Sequence, residues 1–475
     1  MSGLNTDDIK SGIIKNVKGD KVICIIVFLL SLISIALIYS ATSSLAYKEH
    51  TTNFSYLFKQ LKYVAFGWVV LFVFYKIPLK WYRSFSVIMF AVSLALLALV
   101  PIIGQEINGA KRWLNLGFIT FQPTELIKIT LVLYMAKILE SCKLDTFKEF
   151  FIKLLIPIGL AFVLVMVGSF SSACFIGLLA AIILIVAGVK WSYLFKSAGI
   201  GAIAMAVIIL LHLAFGWFPR IDTATSRLTK FVSKTEVSEE LSAEERQKEL
   251  DKTYQADMAK VTISSVGILG KGPGNSTQRY VLPHPYSDFI FTLIIEEYGL
   301  IGGFIVLIFY MWFFFRCIIL VKNCTRVFTA ITVGGLALLI VLQASLHVLV
   351  NVGIIPVTGH TLPLISLGGT SLVILCSAFG IILSVSRTID ISTDKKRAEK
   401  LAAANAANAA DVANTADAPI TEDIAEFEGS SSIDLTVPDG GGSYTDEKDL
   451  RGRGETNPED NGEQYEIKDK NGEFK

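Results

Sequence analysis

The sequence predicts an all-α polytopic membrane protein with ten transmembrane helices and a long structured outer loop between spans 7 and 8. Apolar residues make up 52% of the 475-residue chain, and charged residues make up only 18%. Apolar runs of about 20 residues, the length that crosses a bilayer, recur between Val22 and Ser384. The net charge of +1 provides no general attraction for nucleic acid, so we expect no nucleic-acid partner.

Hydropathy divides the apolar part of the chain into ten spans. They are residues 22–45, 63–75, 84–103, 123–140, 153–169, 172–188, 197–216, 289–315, 327–349 and 370–387. The fifth and sixth spans are separated only by "GSFSS", which predicts a tight turn. An even number of spans places both ends of the chain on the same side of the membrane.

Lysine and arginine distinguish the two sides, because cytoplasmic loops carry an excess of them. The segment before the first span and the loops after every second span are rich in these residues. The short loops on the other side hold fewer, and residues 351–371 hold none. We therefore expect both termini to be cytoplasmic, with the segments 217–288 and 351–371 facing outward.

The chain then divides into three regions, which are a cytoplasmic segment 1–21, a ten-span domain 22–391 containing the extracytoplasmic loop 217–288, and a cytoplasmic tail 392–475. In the loop, Ser242 and Glu245 form a capping box within "SAEERQKELDKTYQADMAKV", which predicts a helix. The tail is rich in Ala, Asn, Gly and acidic residues and cannot bury a core. We predict that it is disordered after a helical start at "KKRAEKLAAA".

Three polar clusters lie at the predicted outer ends of spans, and the first is "NGAKRWLNLGFITFQPTELIKI". Glu125 falls in the first turn of a span, where the helix dipole favours an acid, and Lys128 follows one turn deeper. A lysine within the membrane costs about 2.5–3.5 kcal/mol, so Lys128 should face a partner or a cavity. It either forms a structural pair with Glu125 or joins Lys111 and Arg112 in a cationic pocket for phosphate. Trp113 either anchors the chain at the interface or stacks on a sugar.

The second cluster is "RYVLPHPYSDFIFTLIIEEYGLIGG". Asp288 directly precedes the eighth span and has two interpretations. It either lies in the first helical turn behind a Ser287 cap, or it performs chemistry at the membrane surface. Glu296 and Glu297 lie deeper, and acids at that depth normally face the interior of a helix bundle.

The third cluster is "NVGIIPVTGHTLPLISLGGTSL". A continuous helix is excluded by its prolines and glycines, which are Pro356, Gly359, Pro363, Gly368 and Gly369. Irregular backbone near a membrane persists only where it is buried in protein or lines a cavity. The segment is therefore either a packed re-entrant loop or a ligand site that uses its hydroxyls, which are Thr358, Thr361, Ser366 and Thr370.

Taken together and in this order, the three clusters resemble the SEDS family (shape, elongation, division and sporulation), its division branch first and its elongation branch next. The resemblance covers about residues 22–388. It implies a peptidoglycan glycosyltransferase that polymerises lipid II at the outer face of the bacterial cytoplasmic membrane, in division and hence at the septum. It also implies that Asp288 is essential and that the motif positions of the family are Arg112, Trp113, Gln122, Pro123, Glu125, Lys128, Ser366, Gly368 and Gly369.

The chain departs from the family pattern in three motifs, each of which usually carries a charged residue. Tyr280 and His284 stand where the family often has an acid, "GSFSSA" replaces a motif with an aspartate, and "PVTGHTLP" replaces a motif with a lysine. The chain therefore lacks those three charges. Asp288, Glu125 and Lys128 all remain.

The implied reaction needs removal of a proton from a sugar hydroxyl and neutralisation of a departing pyrophosphate. Asp288 suits the first task as a general base, an orienting group or a metal ligand. Lys111, Arg112 and Lys128 suit the second, with help from a divalent cation (Mg²⁺ or Mn²⁺), although no cofactor site is evident in the sequence. The family implies a class B penicillin-binding transpeptidase and other division proteins as partners. A lipid II flippase, an elongation-type polymerase and a binding scaffold are the competing interpretations.

Overall fold

The computed structural model describes residues 18–43, 45, 50–107, 110–115, 117, 120–216, 258–277 and 285–416, with a few positions between 221 and 229. The chain divides into two units, 1–407 and 408–475. Of the second unit, only the helical residues 408–416 are described. Several predictions made above fall outside the described residues. They are the capping box of the outer loop, the positions Tyr280 and His284, and the disorder beyond residue 416.

Ten long helices are present in the described part of the chain. They are α1 (Lys21–Ala41), α2 (Asn53–Lys76), α3 (Leu79–Ile103), α4 (Pro123–Ser141), α5 (Phe147–Gly168), α6 (Phe170–Val186), α7 (Trp191–Phe215), α8 (Ile290–Lys322), α9 (Val327–Val352) and α10 (Thr370–Ala416). Helix α5 contains one π-helical turn at Phe151–Leu155. Each helix contains or overlaps one predicted span, and α10 continues past the predicted boundary at residue 391 because the sequence there is rich in alanine.

Eight of these helices are long and apolar enough to cross a membrane. Helix α6 is apolar but has only 17 residues. Helix α4 carries four charged residues, which are Glu125, Lys128, Lys137 and Glu140. The all-α membrane fold is therefore confirmed, whereas the number of ten spans stays a prediction.

The loop between α3 and α4 folds as a small antiparallel sheet, which the sequence analysis did not predict. Its strands are β1 (Gln105–Ile107), β2 (Ala110–Asn115) and β3 (Thr120–Phe121), in that spatial order. Trp113 pairs with Gln105, and Leu114 pairs with Phe121. Leu114 is buried, so the face of β2 that carries it packs on the protein.

Helix α4 lies in the interior and packs against both α3 and α9. The approach to α9 is close, because a Cβ atom on Gly335 would lie 2.6 Å from Cγ1 of Val132. Helix α9 also packs against α8, which in turn contacts α1. Helix α7, by contrast, exposes most of its apolar side chains. The polar residues of α4, α8 and α9 are therefore brought together inside the bundle.

Helix α8 is interrupted at Gly299, whose φ of 70° and ψ of −170° are not helical. The glycine-rich turn that precedes α8 in the sequence lies against this kink. The backbone N–H groups of Lys271 and Gly272 donate to the carbonyls of Glu296 and Glu297, each at 2.9 Å. The turn is thus attached to the helix through the backbone.

Cysteine labelling tests the predicted orientation. The six native cysteines would first be replaced by serine. A cysteine at Asn275 should then react with an impermeant maleimide in intact cells, because the Lys and Arg pattern places this exposed turn outside. A cysteine at Asn323, which is also exposed, should react only after permeabilisation. Neither position requires a positive φ, unlike the neighbouring Gly274. The opposite labelling pattern would contradict the orientation.

Candidate active site

Lys128 is only 2% exposed and is bonded on two sides. Its Nζ atom donates to Oε1 of Glu125 at 2.8 Å and to Oε1 of Gln343 at 3.0 Å. The same Nζ atom lies 5.3 Å from the centre of the Phe175 ring. The predicted contact between Glu125 and Lys128 is therefore present. Gln343 extends it, because its Nε2 atom donates to the carbonyl of Thr361 at 3.0 Å.

Arg112 lies on β2, and its Nε atom donates to the carbonyl of Gly168 at 2.8 Å. Successive side chains of a strand point to opposite faces, so Trp113 faces away from Arg112. Lys111 also belongs to β2, but its side chain lies outside the described part of the chain. Gln122 precedes α4 and its side chain makes no capping bond. The structure therefore brings Arg112 to the end of α5 and leaves Trp113 on the other face of the strand.

Asp288 lies in a turn before α8 and is half-buried. Helix α8 begins at Ile290 with Phe289 in the capping position, no side chain caps it from that position, and its first turn contains no acid. The interpretation of Asp288 as part of a helix start is therefore wrong. Oδ1 of Asp288 instead accepts a hydrogen bond from Oγ of Ser287 at 3.0 Å. A Cβ atom on Gly359 would lie 3.9 Å from its Oδ2 atom, so the carboxylate lies against the irregular segment.

The segment 353–369 between α9 and α10 is not helical, as predicted, and it holds the turn that carries Asp288. Oγ of Ser366 donates to the carbonyl of Ser287 at 2.8 Å, and the N–H of Leu367 donates to the carbonyl of Tyr286 at 3.0 Å. Ser366 also accepts from the N–H of Leu362. Its hydroxyl is therefore committed to structure, and its observed contacts position the turn.

The two predicted glycines differ in their surroundings. Gly369 has a φ of 51°, in the left-handed region that favours glycine, and lies against the ring of Tyr63. Gly368 has ordinary contacts with Ser371. Leu364 has a φ of 65° although it has a side chain, and such strain persists only where the surroundings enforce it.

Two histidines that the sequence analysis passed over lie between Lys128 and Asp288. His347 Nδ1 lies 2.8 Å from the carbonyl of His360, which can only accept, so Nδ1 carries the proton. Burial, with the positive charge of Lys128 next in size, lowers the pKa of His360 to about 3. His360 is therefore neutral at pH 7. Nε2 of both rings and Oγ1 of Thr358 are buried without a hydrogen-bond partner among the described residues.

Gln343, His347 and Asn351 form a polar stripe on α9, and all three are buried. Their spacing of four residues places them on one face of the helix. Gln343 contacts Lys128, His347 contacts the irregular segment, and Asn351 contacts the turn of Asp288. The signal was available in the sequence, because polar residues at helical spacing within an apolar span are unusual.

Glu296 and Glu297 are buried, as predicted for acids that face the bundle interior. Glu296 accepts from Lys271 Nζ at 2.7 Å and from both the N–H and the hydroxyl of Thr277, at 3.0 and 2.9 Å. Ser276 donates to its other oxygen. Glu297 accepts from the hydroxyl of Ser40. These acids therefore anchor the glycine-rich turn and α1 to α8.

The divalent cation suggested by the sequence analysis stays a prediction. Among the described residues, no group of three or more His, Cys, Asp and Glu side chains could hold a metal ion. The described residues therefore do not form a metal-binding site by themselves.

Comparison with known proteins places this chain in a family. Residues 20–390 match the family model FTSW_RODA_SPOVE, which is described as a cell cycle protein. The probable peptidoglycan glycosyltransferase FtsW of Coxiella burnetii is 29% identical over 373 residues, which are 76% of this chain and 95% of that protein. The FtsW of Hydrogenovibrio crunogenus is 30% identical over 363 residues, 74% of this chain and 88% of that protein. The stage V sporulation protein E of Bacillus subtilis is 27% identical over 379 residues, 78% and 98% of the two chains.

Solved structures share the fold. A chain from a study of polymerization and crosslinking by a peptidoglycan synthase complex has a TM-score of 0.61 and 24% identity, and the match covers 78% of this chain and 98% of that one. The crystal structure of the rod shape determining protein RodA of Thermus thermophilus has a TM-score of 0.54 and 23% identity, with the same coverage. With the family match spanning residues 20–390, these likenesses lead to one conclusion: the chain belongs to the FtsW/RodA/SpoVE family of cell cycle proteins.

Proposed function

We propose that this protein is a peptidoglycan glycosyltransferase that polymerises lipid II into glycan strands at the outer face of the bacterial cytoplasmic membrane. The observation that carries the proposal is the placement of Asp288. Its turn is held by two hydrogen bonds from the irregular segment, and its side chain is not used to cap α8. The names of the FtsW relatives support the chemistry and favour a division role at the septum.

In the proposed reaction, a sugar 4-hydroxyl of one lipid-linked substrate attacks the anomeric carbon of another. A new C–O bond forms, the bond from that carbon to the pyrophosphate breaks, and the hydroxyl proton passes to the carboxylate of Asp288. A positioned general base contributes about 10²–10⁴-fold. The buried cation Lys128 and Arg112 of β2 stabilise the charge that develops on the leaving pyrophosphate.

The competing proposals are a lipid II flippase and an elongation-type polymerase. A flippase would form no glycan in detergent, where there is no bilayer to cross. Formation of polymer from lipid II by the protein in detergent therefore separates the two classes. The elongation-type enzyme would perform the same chemistry, and localisation at the septum or along the side wall distinguishes it.

A class B penicillin-binding transpeptidase is the proposed partner, together with other division proteins. The peptidoglycan synthase complex among the solved structures combines polymerization and crosslinking, which supports such a pairing. We expect the purified complex to polymerise lipid II several-fold faster than the chain alone, measured by gel analysis of glycan strands. Equal rates with and without the transpeptidase would argue against this partner.

Replacement of Asp288 by asparagine should reduce polymerisation by at least about 10²-fold, because the amide keeps the shape but cannot accept the proton. The measurement is the initial rate of glycan formation at saturating lipid II. Thermal unfolding of the variant in detergent should match that of the wild type. Asp288→Glu should restore part of the rate if the role is proton transfer, and a fully active Asp288→Asn protein would remove Asp288 from the mechanism.

The double variant Glu125→Gln, Lys128→Met separates a structural ion pair from a cationic pocket. Replacing a buried pair by uncharged groups is often nearly neutral for stability. Loss of the positive charge should nevertheless lower the polymerisation rate at least about tenfold if Lys128 stabilises pyrophosphate, because removing one such electrostatic contact costs about 10²–10³-fold elsewhere.

The matched control is Arg83→Met, Glu140→Gln, which removes the ion pair between α3 and the other end of α4. This control should keep the wild-type rate. A stable Glu125→Gln, Lys128→Met protein with normal activity would assign the first pair a structural role only.

A further inference from the structure

Asn351 is fully buried in the last turn of α9 and uses every hydrogen-bonding position of its amide. Its Oδ1 atom accepts from the N–H of Thr292 at 3.1 Å and from the hydroxyl of Thr292 at 2.8 Å. Its Nδ2 atom donates to the carbonyl of Asp288 at 3.1 Å and to the carbonyl of His347 at 2.8 Å. An amide side chain has two acceptor sites and two donor hydrogens, so the group is saturated.

The orientation of this amide is fixed by its partners. The N–H of Thr292 can only donate, whereas the carbonyls of Asp288 and His347 can only accept. The oxygen must therefore face α8 and the nitrogen must face the turn before it. A carboxylate at this position could still accept from Thr292, but it would place an oxygen against the two carbonyls.

Two different tasks are joined in this one side chain. The first N–H groups of a helix lack partners within the helix, and Asn351 supplies one to Thr292 from a neighbouring helix. The residue before α8, Phe289, makes no side-chain cap of its own. The second task is the bond to the backbone of Asp288. Asn351 makes this bond from α9, while Ser366 holds the same turn from the irregular segment.

We propose that Asn351 is a positioning residue for Asp288, and that its amide N–H₂ fixes the backbone from which the carboxylate reaches the substrate. The inference rests on the proposed function of Asp288. It assigns a role in the reaction to a residue that does not touch the reacting atoms. A misplacement of about 1 Å in a catalytic group can cost about 10²-fold in rate, so loss of this one bond should be visible in turnover.

Two variants separate the donor side of the Asn351 amide from its contact with the Thr292 hydroxyl. Asn351→Asp keeps both acceptor contacts with Thr292 and removes the donors to the carbonyls of Asp288 and His347. Thr292→Val removes the hydroxyl contact and leaves the bond from Asn351 to Asp288 in place. We expect Asn351→Asp to lower the rate at saturating lipid II by about 10- to 100-fold, with KM changed less than threefold, because the carboxylate moves while binding groups remain. Thr292→Val should stay within about threefold of the wild type.

A control for stability is Ser384→Ala, which removes another buried side-chain bond, from Oγ to the carbonyl of Ile77 at 2.7 Å. Ser384 lies 14 residues along α10 from Thr370, a distance of about 21 Å along the helix axis. The decrease in its thermal unfolding temperature shows how much stability is lost with one buried hydrogen bond. Its polymerisation rate should be normal. Asn351→Asp removes two such bonds, so its unfolding temperature should fall further than that of Ser384→Ala, and its rate per folded protein should fall far more than that of this control.

A second measurement does not depend on activity. Hydrogen exchange of the peptide that contains residues 285–292 should become at least tenfold faster in Asn351→Asp, and should remain near the wild-type rate in Ser384→Ala. Unchanged exchange in Asn351→Asp, or an equal loss of rate in Thr292→Val, would overturn the inference. If Asp288→Asn polymerises lipid II normally, the proposed function fails instead, and the exchange result still decides whether Asn351 holds the turn.

Discussion

The irregular segment 353–369 lies among apolar helices, and its backbone polar groups must find partners within the protein. An unpaired carbonyl or N–H in such surroundings costs several kcal/mol, so the partners are not optional. The carbonyls of this segment are satisfied by side chains from three helices. The donors are Ser34 of α1 to Ile365, Tyr310 of α8 to Pro363, His347 of α9 to His360 and Gln343 of α9 to Thr361. The segment is thus the point at which the helices of the bundle are joined by polar contacts.

The candidate site follows from this requirement. The amide N–H₂ of Gln343 donates to the segment, and the amide oxygen of Gln343 accepts from Lys128. The cation is therefore linked to the segment through one side chain. Two turns further along α9, Asn351 links the same helix to the turn of Asp288. The residues that contact Lys128 and the backbone of Asp288, Gln343 and Asn351, are therefore separated by the rise of one helix, about 12 Å over eight residues. A rigid helix holds such a spacing better than a loop does.

The sequence predicted those features that depend on local pattern. Hydropathy located every described long helix, the prolines and glycines identified the non-helical segment, and the depth of Glu296 and Glu297 indicated their burial. It did not predict the small sheet, whose strands are only two to six residues long. It also did not predict the bonding of Ser366, because the partner Ser287 is 79 residues away in the chain. Contacts of that kind depend on which helices are neighbours, and one sequence does not encode this locally.

The helix-start interpretation of Asp288 failed for a related reason. A serine followed by an aspartate before an apolar run is a common capping pattern, but α8 takes its caps from elsewhere. The amide of Asn351 occupies the position that a local cap would fill. Because a distant side chain makes this contact, the carboxylate of Asp288 is not used to cap α8.

The kink of α8 has a consequence for which substitutions the chain can accept. A Cβ atom on Gly299 would lie 2.1 Å from the carbonyl oxygen of Ile268, and one on Gly270 would lie 2.3 Å from the nitrogen of Gly299. Because each glycine lacks a side chain, the backbone of the opposite segment can occupy the space beside it. A larger residue at one position cannot be offset by a smaller one at the other, because glycine is already the smallest. Neither glycine can therefore be replaced one at a time by a larger residue. A homologue without these glycines must connect its outer turn to this helix by a loop of different conformation.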